Sequence, residues 1–234
     1  GPARADVEPH GGSFRQPDVS ATHIVFVYGG DLWTVPREGG VATPLASPPG
    51  DESQPRFNPD GSQVAVVGAY ASGPDVYVLP RRGGVPRRVT NHPDGEWLSD
   101  WTADGFLLFS ARQMEGLGRQ ARPYRVRPEG GLPLALPVPY GALATISPSG
   151  RRLAYCPGGP EHPSWKRYRG GRASDVWMFD LETQASQRLT TWEGTDAHPM
   201  WQGEDRVFFV SDAGPDHRLN IWSVDLEGGT RRQW

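Results

Sequence analysis

Short apolar runs separated by a proline-aspartate-glycine turn recur along the chain. Residues 57–62 read FNPDGS and precede the apolar run Val64–Gly68. This pattern predicts a strand, a tight turn and a second strand, because an Asp-Gly step tolerates positive φ and a β-branched run suits a buried strand. It returns at residues 101–110 and 146–155, and in weaker form at 24–28 and 201–211. The chain therefore contains five copies of a two-strand unit.

A third apolar segment follows each copy, opening in four of the five with Asp or Asn before an apolar and an aromatic residue. The five segments are Asp31–Val35, Asp75–Leu79, Pro123–Val126, Asp175–Phe179 and Asn220–Val224. Their polar and apolar positions alternate, as expected for strands nearer the outside of a sheet. A glycine pair follows four of these segments, and a short strand with arginine or proline comes next. Proline and charged residues suit the exposed edge of a sheet, so we expect this short segment to be the outer strand. Each unit then has four strands.

The spacing of the units predicts an all-β fold, a β-propeller of four-stranded blades. From Phe57 to Trp101 is 44 residues and from Trp101 to Ile146 is 45. From Ile146 to Trp201 is 55, so the fourth unit carries an insertion of roughly ten residues. A β-sandwich would not repeat the same strand and turn chemistry five times. We expect units at about 14–50, 51–95, 96–141, 142–194 and 195–234, with residues 1–13 a leader or tag remnant.

Composition narrows the class of protein further. The 30 glycines and 24 prolines are spread between apolar runs, which favours many strands and tight turns over disorder. A formal net charge of −3 argues against a nucleic-acid partner, and no apolar stretch is long enough for a membrane helix. Cys156 is the one cysteine, so neither an internal disulfide nor a cysteine-based zinc site is available. We expect no metal and no cofactor.

The turn and third-strand motifs resemble the propeller repeats of the TolB, dipeptidyl-peptidase and tricorn-protease group. The insertion at 162–171 reads HPSWKRYRGG, and its Trp-Lys-x-Tyr-Arg-Gly-Gly core is similar to a segment of the amino-terminal propeller in the tricorn protease family. Pro17-Asp18, the run Asp31–Trp33 and the run Tyr124–Val126 agree with it. The resemblance covers about residues 14–234.

The resemblance implies a non-catalytic domain that admits or filters peptide substrates, or acts as an interaction scaffold, since the catalytic domains of that family lie far downstream. The family propeller has six blades and this chain has five, so we expect a truncated or engineered fragment. A stand-alone TolB-like protein-binding propeller is the alternative interpretation. Ala3-Arg4-Ala5 has the form of a signal-peptidase site, which leaves the localisation open with a lean to the bacterial periplasm.

Catalytic motifs are scarce in the sequence. No Gly-x-Ser-x-Gly occurs, and the six histidines are scattered without the spacing of a zinc site or a catalytic triad. Asp18, Asp100 and Asp196 lie at or near inner-strand starts, where two carboxylates facing each other across a channel could serve a five-bladed glycosidase. An acid at such a position more commonly bonds the neighbouring blade. We therefore predict no catalytic residue and keep the glycosidase as a distant alternative.

The insertion of the fourth unit supplies the candidate binding residues. Cationic side chains alternate there with aromatic ones and could hold a peptide carboxylate or an acidic partner. The candidates are Trp165, Lys166, Arg167, Tyr168, Arg169 and Arg172. A solvated loop is the alternative. Replacing Lys166, Arg167 and Arg169 together by alanine should leave the fold intact, because a loop roughly ten residues longer than its counterparts is not expected to be essential to blade packing. The long loop at 113–123 could overhang the same face.

Two blade faces are expected to lack a neighbour. The chain begins on an inner strand near Phe14 and ends on an outer strand at Trp234, so no Velcro strand closes the ring. Apolar faces around Ile24 and Phe26 in the first unit, and around Val207 and Phe209 in the fifth, would remain exposed. Such patches usually find a partner, so we predict self-association over tightening into a closed five-bladed ring.

Overall fold

Five four-stranded antiparallel sheets follow one another along the chain, as shown by a computed structural model that describes residues 13–46, 48–71, 73–112, 114, 120–157, 168–171 and 173–234. Blade 1 contains β1 (Phe14–Val19), β2 (His23–Tyr28), β3 (Asp31–Pro36) and β4 (Thr43–Ala46). Blade 2 contains β5 (Glu52–Phe57), β6 (Gln63–Gly68), β7 (Asp75–Pro80) and β8 (Arg87–Arg88). Blade 3 contains β9 (Glu96–Trp101), β10 (Leu107–Ala111), β11 (Arg122–Val126) and β12 (Leu134–Ala135). Blade 4 contains β13 (Ala142–Ile146), β14 (Arg152–Cys156), β15 (Trp177–Asp180) and β16 (Ser186–Arg188). Blade 5 contains β17 (Asp196–Gln202), β18 (Arg206–Ser211), β19 (Asn220–Asp225) and β20 (Arg231–Gln233).

The prediction of a β-propeller with five blades and no Velcro strand is confirmed. Each sheet is built from four strands that are consecutive in the sequence, so no strand of blade 1 is borrowed from the other end of the chain. The predicted turns take the required geometry: Gly61, Gly105 and Gly150 have φ of 69°, 81° and 77°. In the part of the chain that the structure describes, no helix is long and apolar enough to cross a membrane.

The core lies between blades, where the second strand of each blade packs against the first strand of the next. These contacts join β2 to β5, β6 to β9, β10 to β13 and β14 to β17. One cluster contains Val25 and Leu32 of blade 1 with Val64 and Val66 of blade 2. No contact of comparable extent joins β18 to β1, both of which are fully described. The ring is therefore open between blades 5 and 1.

The expected exposure of Val207 and Phe209 is wrong. Both are fully buried, because they point towards blade 4 and join its core. Successive side chains of β18 point to opposite faces of the sheet, so Phe208 and Val210 lie on the other face, which no blade covers. In the pairing of β18 with β17, Phe208 is opposite Met200 and Val210 is opposite Ala197. On blade 1, Phe26 is also buried, because it packs against Phe14, whose ring centroid lies 5.3 Å away.

Candidate functional site

All five inner strands carry a β-bulge just before the residue that faces the axis. In four of the bulges a non-glycine residue adopts left-handed backbone geometry, with φ between 50° and 55°: Gln16, Gln54, Leu143 and His198. A bulge adds one residue and bends its strand, which changes the direction of the side chains that follow. Two positions later, these strands present Asp18, Arg56, Thr145 and Met200, and β9 presents Asp100 at the same register.

These five equivalent residues line a cavity on the propeller axis. The cavity has a volume of about 160 Å³, and every one of the five inner strands contributes to its wall. A second cavity, of about 290 Å³, lies towards the turns that join the first and second strands, and shares Asp18 and Asp100 with the first. The inner strands therefore enclose a central channel with both charged and apolar walls.

Two carboxyl groups and one guanidinium form the charged part of this channel. Arg56 donates from Nε to the Ser99 carbonyl at 2.7 Å, which fixes it between blades 2 and 3. Burial raises the pKa of Asp18, although the Phe57 N–H and the charge of Arg56 oppose it. Burial likewise raises the pKa of Asp100, against bonds from Thr145 and Trp101 and the same guanidinium.

Two of the three acids weighed as catalytic groups accept hydrogen bonds from neighbouring blades. Asp18 accepts a hydrogen bond from the N–H of Phe57 in blade 2 at 2.6 Å. Asp100 accepts one from the Thr145 hydroxyl in blade 4 at 2.7 Å. Asp196 lies away from the cavity lining and is fully buried at the start of β17. The structure thus brings Asp18 and Asp100 to one channel, engages both in bonds to neighbouring blades, and separates Asp196 from them.

Only two of the six predicted binding residues lie in the described part of the chain, Tyr168 and Arg169. Trp165, Lys166, Arg167 and Arg172 lie outside it, as do Gln113 and residues 115–119 of the other long loop. Tyr168 and Arg169 lie at the carboxyl-terminal end of the insertion, just before it returns to β15.

Arg169 is an anchor for the insertion. Its Nη1 lies 2.9 Å from Oδ2 of Asp212, a carboxylate of blade 5 whose side chain is only 4% exposed. The guanidinium carbon lies 5.0 Å from the ring centroid of Trp192, and the indole N–H of Trp192 donates to Asp212 at 2.8 Å. Burial opposes ionisation of Asp212, but the bonds from Arg169, Trp192 and Thr195 hold its pKa below the usual value. The insertion is thereby fastened to the neighbouring blade.

Two further residues complete this anchor, and sequence reasoning missed both. His217 stacks on Trp192 at 6.1 Å between ring centroids, and its Nδ1 lies 3.4 Å from Nη2 of Arg169. Gly194 leaves the space that the cluster occupies, since a Cβ there would collide with Arg169, Asp212 and Trp192. The sequence does not reveal this anchor, because Asp212 lies 43 residues after Arg169 and no motif or spacing links the two.

Among the described residues, no group of three or more His, Cys, Asp or Glu side chains could hold a metal ion. Arg112, at the start of the other long loop, places its guanidinium carbon 5.1 Å from the ring centroid of Trp97 in the same blade. In both long loops, a described arginine therefore packs on an aromatic ring of the chain itself: Arg169 on Trp192, and Arg112 on Trp97.

A family model for the tricorn protease N-terminal β-propeller domain matches residues 12–234. The chain belongs to this family. Tricorn protease homolog 1 of Streptomyces coelicolor is 32% identical over 202 residues, which cover 85% of this chain and 19% of that protein. Tricorn protease of Thermoplasma acidophilum is 26% identical over 229 residues, which cover 93% and 21%. The chain thus spans about a fifth of the length of these relatives.

Solved structures agree on the fold of this tricorn-type propeller. A crystal structure of tricorn protease superposes with a TM-score of 0.81 at 24% identity and covers 94% of this chain and 22% of that one. A putative TolB from Agrobacterium tumefaciens gives a TM-score of 0.74 at 18% identity and covers 94% of this chain and 79% of that one. The match is to the propeller domain, and the fold is related to TolB-like propellers.

Proposed function

We propose that this propeller is a non-catalytic module of a tricorn-like protease, where it admits or filters peptides or serves as an interaction scaffold. The observation that carries the proposal is the family match over residues 12–234 to the propeller domain of proteins five times as long. The five blades account for all the strands of the described residues. A module of this kind contributes surfaces and a passage, and leaves bond cleavage to other domains.

The state of the channel acids supports a non-catalytic role. A glycosidase needs one carboxyl group free to protonate the leaving group and a second free to attack or to activate water. Asp18 and Asp100 instead accept bonds from Phe57 and Thr145 of neighbouring blades. Reaching a substrate would require breaking these inter-blade bonds.

The test of the non-catalytic role is turnover by the purified chain on a panel of fluorogenic peptides and aryl glycosides. We expect no enzyme-like rate from the chain or from its Asp18→Asn and Asp100→Asn variants. Sustained turnover that disappears on replacing one Ser or Asp would contradict the proposal. Loss of folding is excluded as the cause when the variant keeps the unfolding midpoint of the parent chain.

Peptide or partner binding is proposed at the insertion, through charge. Arg169 is committed to Asp212, so it positions the loop, and Lys166, Arg167 and Arg172 are the cations proposed to meet an acidic ligand. Fluorescence anisotropy with a labelled glutamate-rich peptide tests this. We expect binding that weakens with salt and is lost in the double variant Lys166→Ala/Arg167→Ala, while a lysine-rich peptide does not bind. Equal binding of both peptides, or no loss in the double variant, would contradict it.

A stand-alone TolB-like protein-binding propeller is the second candidate. The likeness to the Agrobacterium structure extends over 79% of that chain, but at 18% identity it supports the fold alone. The full open reading frame separates the two candidates: a tricorn-like parent encodes protease domains downstream of the propeller, and a TolB-like parent does not.

A further inference from the structure

One aliphatic side chain occupies the same exposed position in each of blades 1, 2 and 3. Val41, Val85 and Leu132 follow the glycine pair of the hairpin that joins the third strand to the outer strand, and they are 84%, 91% and 91% exposed. Each lies two residues before the outer-strand residue that pairs with the middle of the third strand, so the positions are equivalent. A single exposed aliphatic residue is ordinary, but a repeated one marks a surface.

Blades 4 and 5 carry no large apolar residue at this position. The same count along their outer strands gives Ala185 and Thr230. The hairpins of these two blades also begin with Asp-Leu-Glu, at 180–182 and 225–227. The exposed aliphatic residues are therefore a property of blades 1–3, and hairpin geometry alone does not require them.

The three hairpins of blades 1–3 form one continuous strip along the outside of the propeller. A Cβ on Gly83 would lie 3.0 Å from the Leu45 carbonyl oxygen, so the hairpin of blade 2 rests against the outer strand of blade 1. Arg87 of blade 2 donates from Nη2 to the Pro128 carbonyl in the hairpin of blade 3 at 2.8 Å. We call this strip, which consists of residues 36–46, 80–89 and 127–135, the outer rim.

The outer rim is basic, although the chain as a whole is acidic. The rim contains six arginines and two glutamates, whereas the chain has a formal net charge of −3. Arginine binds carboxylates through a planar fork of donors, so such a surface favours acidic groups. Four arginines of the rim are exposed and form no ion pair among the described residues: Arg37, Arg82, Arg87 and Arg127.

The outer rim lies at the opposite end of the strands from the insertion. The Arg37 N–H donates to the Thr22 carbonyl and the Arg81 N–H to the Ser62 carbonyl, both at 2.9 Å. These hairpins therefore lie beside the turns that join the first and second strands. The insertion joins β14 to β15, at the other end of the strands. The rim is thus a different surface from the one proposed above to bind peptides.

The rim is poorly suited to binding by strand addition. Pro86 and Pro133 directly follow Val85 and Leu132, and proline has no N–H to offer a further strand. The outer strands β8 and β12 contain only two residues each, which is typical of a protected sheet edge. A partner would therefore contact the side chains of the rim.

We propose that the outer rim of blades 1–3 docks a second protein, which contributes an acidic segment carrying aliphatic side chains. Its aliphatic residues would cover Val41, Val85 and Leu132, and its carboxylates would pair with the exposed arginines. A nucleic acid would match the charge but not the aliphatic residues.

A second copy of this chain is a poorer match to the rim. Outside the rim, the exposed aliphatic residues of the described chain are Val19, Met200, Leu219 and Ile221. None of them directly adjoins an exposed acid in the sequence, and Leu219 follows Arg218. The second copy is therefore the competing occupant that the experiment has to exclude.

Fluorescence anisotropy with a labelled synthetic peptide of glutamate and leucine tests the proposal. The protein carries Lys166→Ala/Arg167→Ala throughout, so that these two cations of the insertion do not contribute to binding. We expect this peptide to bind, and a peptide with serine in place of leucine to bind at least about tenfold more weakly, because burial of aliphatic surface is lost. A single-stranded oligonucleotide of equal charge should also bind at least about tenfold more weakly.

Two sets of substitutions locate this binding on the rim. Val41→Ser/Val85→Ser/Leu132→Ser removes the aliphatic side chains, and Arg37→Glu/Arg82→Glu reverses two charges. Each set should weaken binding of the glutamate and leucine peptide at least about tenfold and leave the urea midpoint unchanged, because all five side chains are exposed.

The matched control for these variants is Arg218→Glu/Leu219→Ser in blade 5. It changes one exposed arginine and one exposed aliphatic residue away from the rim, so the affinity should stay within about twofold of the parent. Methyl NMR is the second measurement if a rim variant fails to fold. The peptide should shift the methyl signals of Val41, Val85 and Leu132 and leave those of Leu219 in place.

Several results would overturn the docking surface. They are no binding of the glutamate and leucine peptide, equal binding of the serine peptide or the oligonucleotide, unchanged affinity in the rim variants, and rim methyl signals that do not move. The proposal also fails if light scattering shows a mass that rises with concentration and the triple serine variant abolishes this rise. The occupant of the rim is then a second copy of the chain.

Discussion

Replacing Arg169 by alanine tests whether the insertion is fastened to blade 5 by its ion pair with Asp212. The variant removes a guanidinium 2.9 Å from a carboxylate that is almost fully buried, and also removes the cation above Trp192. Asp212 keeps two donors, the Trp192 indole N–H at 2.8 Å and the Thr195 N–H at 3.0 Å. The carboxylate therefore loses its countercharge without losing all of its hydrogen bonds.

The expected loss follows from these contacts. Removing one partner of a fully buried pair costs about 3–5 kcal/mol, and one hydrogen bond to a charged group contributes about 1.5–3 kcal/mol. Arg169 is a quarter exposed, so water screens the pair, and the remaining donors of Asp212 soften the effect. We expect Arg169→Ala to lower the free energy of unfolding by roughly 2–3 kcal/mol, or Tm by about 4–12 °C for a domain of this size. Arg169→Lys should lose roughly 1 kcal/mol, since it keeps the charge but not the planar fork.

Urea and thermal unfolding of the single variant beside Lys166→Ala/Arg167→Ala provide the measurement. The double variant removes two cations of the same loop, and we expect it to keep the parent midpoint. The pKa of Asp212 is lowered, so its stabilisation is present above the ordinary aspartate pKa and disappears as pH falls through the lowered value. The difference between parent and Arg169→Ala should therefore shrink in acid. Equal midpoints for Arg169→Ala and the double variant would refute the anchor.

Three further predictions concern buried groups. Burial raises the pKa of Glu96 to about 7, so stability should fall as pH rises from about 4.5 to 7, by roughly 3 kcal/mol at most, and Glu96→Gln should flatten that part of a pH series of unfolding midpoints. Burial raises the pKa of the Cys156 thiol to about 12, so a thiol reagent should label it only as fast as the protein unfolds. Trp201 donates from its indole to the Thr145 carbonyl at 3.2 Å, and Trp101 makes the equivalent bond to Arg56 at 3.1 Å, so replacing either by phenylalanine should cost about 1 kcal/mol in urea unfolding.

The blades could be predicted from the sequence because each of their signals is local. A buried strand shows as a β-branched run such as Val64–Gly68, and the turn before it shows as Asp60-Gly61. Period-2 alternation also gives the two faces of a strand, but not which neighbour each face meets. Parity separates Val207 and Phe209 from Phe208, but only the packing against blade 4 shows that Val207 and Phe209 are the buried set.

The candidate site was less predictable because its contacts are distant in sequence. The insertion was visible as extra length with basic and aromatic residues, which is also what a ligand-binding loop looks like. The structure commits Arg169 to Asp212, and neither that acid nor Gly194 carries a local signal. The repeat predicts Asp18 and Asp100 on inner strands, which is confirmed, but both lie near the ends of their strands and only Asp196 lies at a strand start. The alternative that such acids bond a neighbouring blade describes Asp18 and Asp100.

Glu52 and Glu96 each accept a hydrogen bond from an N–H of the preceding blade, and these bonds contribute to the order of the blades at a cost in ionisation. Burial raises the pKa of Glu52, Glu96 and Asp196, so each is held in a place that disfavours its charge. An acid opposite Pro123 would be buried without an N–H to bond, and a glycine in place of Glu52 would remove the carboxyl group that accepts from the Leu32 N–H. The sheets therefore cannot be exchanged freely between interfaces. Apolar packing alone would accept many neighbours, whereas an N–H matched to a carboxyl group accepts few.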